Sequence, residues 1–253
     1  MKRSKTNAND IRQMSVFEVF SGIELIYNNF NSPNVNVDFY ITDNVMEISH
    51  CRKGRVECDL KDGTYLFLGE GDLGVNMLNN HATKMDFPTN FYEGISVNLY
   101  LDVIEKNMPY LLDNTNIDIY EIKKKLCSKS SCFVIRATER IEHIFSELYD
   151  VPDEIKGAYL KIKVLELLLF LSVLDTDKQE KKESFSKHHV ETIKAIHSKI
   201  TENFSKRYTI DELSKEFCIS PTTLKLYFKE VYGSNISSYL KQYRMKKATE
   251  ILR

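Results

Sequence analysis

The chain has 253 residues, of which 42% are hydrophobic and 28% are charged, and its formal net charge is −1. These ordinary values allow two globular domains with adequate cores and exclude a low-complexity chain. A net charge this close to zero gives by itself no sign of nucleic-acid binding.

The N-terminal residues 1–15 predict a disordered tail. They carry positive charge, but no apolar segment follows, so they do not resemble a secretory signal. The apolar run Val164–Leu174 is interrupted by Glu166 and is too short to span a bilayer. Five cysteines without a CxxC pair indicate reduced thiols. The sequence therefore predicts a cytoplasmic protein with no membrane association.

Residues 16–101 predict a domain of short strands. Segments such as Val45–Ser49 and Val56–Leu60 alternate in polarity, and Arg52–Gly54 and Lys61–Gly63 have the chemistry of hairpin turns. Regularly spaced short strands favour an antiparallel β-barrel or β-sandwich. Any small β-sandwich remains an alternative at this point.

The loop that carries Phe87, Phe91 and Tyr92 is the most suggestive place for a small-molecule pocket. Aromatic side chains beside Pro88 and Gly94 could wall a pocket at the barrel mouth. The alternative is that they close the end of the barrel. We name these three residues as candidate effector-binding residues.

Metal-binding and catalytic patterns are not evident in the sequence. In the strand region His50 and His81 are isolated, and the adjacent His188 and His189 have diverging side chains. The cysteine spacings do not fit a zinc knuckle, and we find no phosphate loop, nucleophile elbow or paired catalytic carboxylates. We expect no enzyme activity, no metal and no cofactor.

Residues 102–174 predict helices with apolar stripes. One stripe runs from Ile141 to Leu148 and a more apolar one from Ala158 to Leu171. Residues Val164–Leu174 are apolar on nearly all sides, which suggests burial against the strand domain and a further surface, with packing in the core alone as the alternative. The polar segment 175–187 predicts a linker between domains.

The segment from Tyr208 to Tyr232 predicts a helix-turn-helix, a motif of DNA-binding proteins. Thr209 and Glu212 form a capping-box pattern, and Ser220-Pro221 predicts the start of a second helix. In that helix Leu224, Phe228 and Val231 lie on one face, at i, i+4 and i+7. The opposite face is predicted to meet the major groove and consists of Thr222, Lys225, Leu226 and Lys229.

The distribution of charge agrees with a DNA-binding C-terminal part. Residues 188–253 contain 12 Lys/Arg against 7 Asp/Glu, which leaves 23 against 29 in the preceding part. A basic C-terminal segment that follows an acidic N-terminal part fits a DNA-binding domain joined to a sensor domain.

The C-terminal quarter resembles the AraC/XylS family of bacterial transcription regulators. The matching residues are Asp211-Glu212-Leu213, Ser220, Leu224, Phe228-Lys229, Gly233, Tyr239-Leu240, Arg244, Ala248 and Leu252. Residues 220–225 and 242–245 look most like the pyochelin-regulator branch, whose members often respond to iron-chelating small molecules.

This resemblance implies a cupin-like N-terminal sensor domain at residues 16–101, a helical dimerisation segment, and a DNA-binding domain at residues 188–253. It implies DNA, a second copy of the chain and a siderophore-like or other small-molecule effector as partners. The implied DNA-binding residues are Ser220, Thr222, Thr223, Lys225, Leu226, Lys229, Lys241 and Arg244.

Two departures from the family pattern affect this expectation. Leu226 occupies a position where the family usually has Arg, so the preferred DNA sequence is expected to differ. The sequence ends at Arg253, within the linker helix, so only the first of the family's two helix-turn-helix units is expected here.

The sequence therefore predicts an α+β protein that acts as an AraC-type transcription regulator. Two alternatives stay open: a truncated form that pairs with a full-length regulator, and, less in keeping with the residues, a cupin-type enzyme.

Overall fold

The computed structural model describes residues 12–36, 44–61, 65–80, 82–107, 115, 117–127, 132–176 and 187–251. Its strands are β1 (Arg12–Phe20), β2 (Ile23–Phe30), β3 (Asn34–Asn36), β4 (Val45–Gly54), β5 (Val56–Leu60), β6 (Tyr65–Leu68), β7 (Leu73–Met77), β8 (Ala82–Asp86), β9 (Tyr92–Tyr100) and β10 (Cys132–Ile135). Its α-helices are α1 (Leu101–Lys106), α2 (Ile119–Cys127), α3 (Glu139–Ser146), α4 (Lys156–Val173), α5 (Lys187–Glu202), α6 (Ile210–Glu216), α7 (Pro221–Tyr232) and α8 (Ile236–Ile251). Short 3-10 helices cover Leu78–Asn80 and Glu147–Tyr149.

The strands form two antiparallel sheets. The six-stranded sheet has the order β1-β2-β9-β4-β7-β10, and the four-stranded sheet has the order β3-β8-β5-β6. No strand pairing joins the two sheets within the described residues, so the arrangement is a sandwich and not a closed barrel. Antiparallel sheets followed by helices confirm the predicted α+β class.

Three buried clusters hold the fold together, and each has a distinct location. One lies between the six-stranded sheet and helices α1 to α4. A second lies between the two sheets. The third joins helices α5 to α8, and it also includes Phe67 from β6. Burial of apolar area at about 25 cal/mol per Å² makes such clusters the main favourable contribution to folding.

Several element boundaries differ from those predicted. Strand β1 begins at Arg12, inside the predicted tail, because residues 12–20 pair with β2. Strand β10 interrupts the predicted helical segment and pairs with β7. Residues 52–54, predicted as a turn, continue β4, and the chain turns at Arg55.

Other predictions lie wholly or partly outside the described residues. The predicted turn at 61–63 has only Lys61 described, and His81 is not described. The predicted linker is described only at 175–176 and 187, and α5 begins at Lys187, next to the predicted start of the DNA-binding part. Among the described helices, none combines the length and the apolar character needed to cross a bilayer.

Candidate nucleic-acid interface

The first helix of the predicted helix-turn-helix begins with a complete capping box. The Thr209 hydroxyl accepts a hydrogen bond from the Glu212 backbone N–H at 3.2 Å, and the Glu212 carboxylate accepts one from the Thr209 N–H at 2.9 Å. These two bonds satisfy donors that a helix start leaves free. The backbone hydrogen bond from Thr209 also lowers the pKa of Glu212.

The turn between α6 and α7 covers only residues 217–220. Cys218 adopts a left-handed backbone with φ 51°, and the Ile219 N–H donates to the Ser214 carbonyl at 3.0 Å. Ser220 then caps α7 by accepting a hydrogen bond from the Thr223 N–H at 3.1 Å, with Pro221 in the first turn. The turn predicted from the sequence is therefore present, and it is formed by the left-handed backbone of Cys218 and the cap at Ser220.

One face of α7 is buried and the opposite face is open to solvent. Leu224, Phe228 and Val231 are completely buried among α5, α6 and α8, as the spacing predicts. The predicted DNA-facing residues, Thr222, Lys225, Leu226 and Lys229, are all exposed. Leu226 is 52% exposed. We call these four residues the outer face of α7.

The other predicted DNA-binding residues differ in whether their side chains make contacts within the protein. Ser220 and Thr223 hydrogen-bond each other through their hydroxyls at 2.7 Å, so both contribute to the cap of α7. Lys241 on α8 is exposed. The Arg244 guanidinium donates to the Phe204 and Lys206 carbonyls at 2.5 and 2.9 Å, which ties α8 to the turn after α5. Arg244 therefore has a structural role that sequence reasoning missed.

An aromatic cluster behind α7 was also not predicted. The His197 ring stacks on Tyr232 at a centroid distance of 4.1 Å, and its Nε2 lies 2.7 Å from the Tyr239 hydroxyl. Burial lowers the pKa of His197 to about 4, so the ring is neutral near pH 7. No local sequence signal links these residues, because they come from three different helices.

The inner end of α7 is fastened to the strand domain by ionic contacts. Arg136, just after β10, forms ion pairs with Glu230 of α7 at 2.7 Å and with the buried Asp72 at 3.0 Å. Arg55 donates to the Glu230 carbonyl at 2.6 Å. We call these four residues the α7 clamp. Because Glu230 and the outer face of α7 share one rigid helix, the clamp fixes that face relative to the sheets.

A second set of ionic contacts joins α5 to the four-stranded sheet. The Lys194 ammonium lies 2.5 Å from Glu57 and 3.0 Å from Asp86. Burial raises the pKa of Glu57, and the neighbouring Lys194 opposes this shift. A buried carboxylate needs such a partner, since an unpaired buried charge is strongly destabilising.

The predicted effector-binding aromatics are placed mainly in the sandwich core. Phe87 and Tyr92 are 1% and 3% exposed and stack at a centroid distance of 5.5 Å. Phe30 stacks on both rings. Phe87 and Tyr92 therefore close one end of the sandwich and offer almost no surface to a ligand, whereas Phe91 is partly exposed.

The side chains that could serve as metal ligands, His50 and the cysteines, are likewise positioned by packing. His50 is buried and stacks on Phe145 at 4.1 Å. The five cysteines are free thiols. Among the described residues, no group of three or more His, Cys, Asp and Glu side chains is arranged to hold a metal ion.

Comparison with known proteins gives matches at the level of structure only. No protein-family model matches the chain, and no curated protein matches it significantly. Among solved structures, the AraC-like transcriptional activator CuxR is similar over 93% of this chain and 79% of its own, with 13% identity and a TM-score of 0.33.

ToxT from Vibrio cholerae is also similar in structure. The form from strain SCE256 with bound unsaturated fatty acid matches 97% of this chain and 83% of its own, with 10% identity and a TM-score of 0.40. The form from V. cholerae O395 matches 91% and 82%, with 10% identity and a TM-score of 0.37. Similarities this loose do not carry a function from one protein to another.

Proposed function

We propose that this chain is a sequence-specific DNA-binding transcription regulator of the AraC type. The observation that carries the proposal is the helix-turn-helix geometry: a capped α6, a four-residue turn, and a capped α7 with one face buried and the other exposed. The lysines, hydroxyl and leucine on the exposed face suit a major groove. DNA is accordingly the proposed partner and the cytoplasm the proposed location.

The residues of the outer face of α7 divide into two roles. Lys225 and Thr222 lie near the N-terminal end of α7, the end that reaches base edges in this motif, and Leu226 suits the methyl group of thymine. Lys229 in the last turn of α7 and Lys241 on α8 suit phosphate contacts. Base contacts give sequence preference, whereas phosphate contacts give affinity for all DNA.

A second copy of the chain is the proposed partner in DNA binding. One helix-turn-helix neutralises few phosphates and buries little surface, so a dimer would raise specific affinity. Helix α4 supports this proposal, because an exposed apolar row runs from its N-cap residue to its last residue, at intervals of seven, seven and four residues. The row consists of Ile155, Ile162, Leu169 and Val173. Such spacing keeps the side chains on one face of a helix.

A small-molecule effector is proposed to change how the two helix-turn-helix units of that dimer are arranged. The α7 clamp supports this mechanism, since it joins the outer face of α7 to the strand domain. A ligand that binds one arrangement better shifts the population toward it, by at most its difference in affinity for the two. Siderophore-like compounds are one proposed effector class, on the resemblance alone.

The proposal is tested by DNA binding of single variants. Fragments of the gene's own upstream region are titrated at two salt concentrations, with an unrelated duplex as competitor. Lys225→Ala and Thr222→Ala should reduce discrimination between the two duplexes by about 1–3 kcal/mol. Lys229→Ala and Lys241→Ala should weaken both duplexes about equally and reduce the salt slope by about one.

The matched control is Lys124→Ala, which removes an exposed lysine from α2 in the N-terminal part. It should leave affinity, discrimination and salt slope unchanged. Operator binding by all four α7 and α8 variants that equals the wild type would refute the proposed DNA face. Purely non-specific binding by the wild type would instead indicate a regulator that needs a partner chain.

A further inference from the structure

The face of the six-stranded sheet that looks toward the four-stranded sheet is unusually polar. Side chains alternate along a strand, so residues adjacent to core residues point to the opposite face. On β4, Met46 and Ile48 pack against the helices, which turns Glu47 and Ser49 inward between the sheets. The same alternation on β9 turns Ser96 and Asn98 inward.

The strand register places these residues in two rows. In the first row, Cys132 opposes Asn76, Asn76 opposes Glu47, Glu47 opposes Asn98, and Asn98 opposes Glu24. This row crosses five strands, about 19 Å at the usual strand spacing. Four of its five members have carboxylate or amide side chains.

The second row lies one pleat further along and consists of small residues, except for Ile26 at its end. Gly74 opposes Ser49, Ser49 opposes Ser96, and Ser96 opposes Ile26. The Ser49 and Ser96 hydroxyls are 3.1 Å apart, and Asn28 donates to the Ser96 hydroxyl at 3.1 Å. We call the two rows together the polar floor.

The polar floor contrasts with the other end of the same interior. There the space between the sheets is filled by the stacked rings of Phe30, Phe87 and Tyr92. Facing sheets lie about 10 Å apart, and the serine and asparagine side chains of the floor are shorter than phenylalanine. Over Gly74 the Leu68 side chain lies 3.1 Å from where a Cβ would stand, so that position of the second row is packed. Buried polar groups are destabilising unless they find hydrogen-bond partners.

Two groups on the polar floor are short of partners. The Asn98 side chain is only 9% exposed, and its Oδ1 accepts no hydrogen bond from any described residue. Glu47 is hydrogen-bonded by the Ser96 and Ser49 hydroxyls, yet burial raises its pKa. The Glu24 carboxylate accepts a hydrogen bond from a neutral hydroxyl, that of Tyr100, at 2.9 Å. The first row contains both carboxylates, Glu47 and Glu24, and none of the residues named in the two rows is Lys or Arg.

From this arrangement we infer that the polar floor binds a small cationic ligand of the primary-amine class, with the ammonium at Glu47 and a further donor at Asn98 Oδ1. The cation would pair with a half-buried carboxylate that otherwise has only hydroxyl partners. An anionic ligand such as a fatty acid would meet the two glutamates and be repelled. The role of this ligand as an effector rests on the proposed function, but its binding does not.

The test uses three four-carbon probes that differ in charge: putrescine, butanediol and succinate. Each is titrated into the full chain by calorimetry, without DNA. Putrescine should bind, and butanediol and succinate should bind at least tenfold more weakly. Glu47→Gln should weaken putrescine at least tenfold. Glu47→Asp keeps the charge on a shorter side chain and should bind putrescine more weakly than the wild type but still measurably. This variant tests the inference even if Glu47→Gln does not fold.

Glu154→Gln is the control, because Glu154 is an exposed carboxylate just before α4 and lies outside both rows. It should bind putrescine as the wild type does. The inference is overturned by equal binding of putrescine and butanediol, by no binding of putrescine, or by a folded Glu47→Gln variant that keeps wild-type affinity. DNA titrations of the same samples separate the outcomes, since amine binding without DNA binding would refute only the proposed function.

Discussion

Gly233 decides how α7 ends and how closely it approaches the strand domain. Its φ is +79°, and its N–H donates to the Lys229 carbonyl at 2.8 Å. A Cβ at this position would lie 2.6 Å from Arg55 Nε, which belongs to the α7 clamp. Both the left-handed backbone and the close contact therefore favour glycine.

We expect Gly233→Ala to lower the free energy of unfolding by about 1–2 kcal/mol, because alanine is strained at positive φ. Chemical denaturation measures this change. The control is Gly157→Ala in the first turn of α4, where no atom lies within 4 Å of the added Cβ. That variant should be neutral or more stable by about 0.5–1 kcal/mol. Equal effects of the two variants would contradict the role given to Gly233.

His50 makes stability depend on pH. Burial against Phe145 lowers its pKa from 6.5 to about 4, so the folded protein keeps the ring neutral while the unfolded chain binds a proton below pH 6.5. Stability from this group is therefore complete above the unfolded pKa and is lost as the pH falls from about 6.5 toward 4.

His50→Phe keeps an aromatic ring on Phe145 and removes the titration. We expect the loss of unfolding free energy between about pH 7.5 and pH 5 to shrink by about 2 kcal/mol, since each pKa unit corresponds to about 1.4 kcal/mol. Denaturation curves at the two pH values measure it. His197 has a similarly lowered pKa, so the variant should keep a residual slope. An unchanged slope would show that His50 is protonated in the folded state or is not buried.

At the scale of elements, α4 has two apolar faces with different roles. One face packs against the six-stranded sheet and the neighbouring helices, with Leu160, Val164, Leu167, Leu168 and Leu171 buried. The other face carries the exposed apolar row, in which Ile162 is 62% and Val173 is 73% exposed. Core packing, one of the two alternatives drawn from the sequence, is thus observed for the buried face. The dimer contact stays a prediction for the exposed face.

Ile162→Glu should convert the dimer to a monomer, because two copies would bring buried like charges together at the interface. Sedimentation equilibrium over a range of protein concentrations measures the change. Lys161→Glu alters the neighbouring exposed position outside the apolar row and should leave the association unchanged. A wild type that is monomeric at every concentration would refute the dimer prediction directly.

At the scale of the whole molecule, the α7 clamp connects the DNA reader to the sheets. Glu230→Gln removes one charge of the clamp while Arg136 keeps its ion pair with Asp72. In a dimer whose helix-turn-helix units are held in position, DNA with two half-sites at fixed spacing binds much more tightly than DNA with one half-site. We expect the variant to reduce that ratio several-fold and to leave single half-site affinity unchanged, as measured by fluorescence anisotropy.

Glu216→Gln is the matched control, since Glu216 pairs with Lys199 inside the helical part and contacts no sheet residue through that pair. It should leave the ratio unchanged. If Glu230→Gln weakened both kinds of DNA equally, Glu230 would serve the stability of α7 and not the placement of the reader.

Helix starts and ends near the candidate site could be predicted from the sequence because their signals are local. The capping box at Thr209, the Ser220 cap and the stop at Gly233 all act within four residues. The buried face of α7 followed from helical periodicity alone. The pocket prediction at Phe87 and Tyr92 had no such basis, since the same aromatic pattern also describes a packed sandwich end.

The sequence by itself determined the class of the fold, the alternation along the strands and the helix-turn-helix with its exposed lysines, because caps and periodicity depend on near neighbours. Only the tertiary structure decided that Arg136 meets Glu230, that Lys194 meets Glu57, and that polar residues from four strands form one floor. These contacts join residues far apart in the chain. Their partners are set by sheet order and register, which no short segment of the sequence encodes.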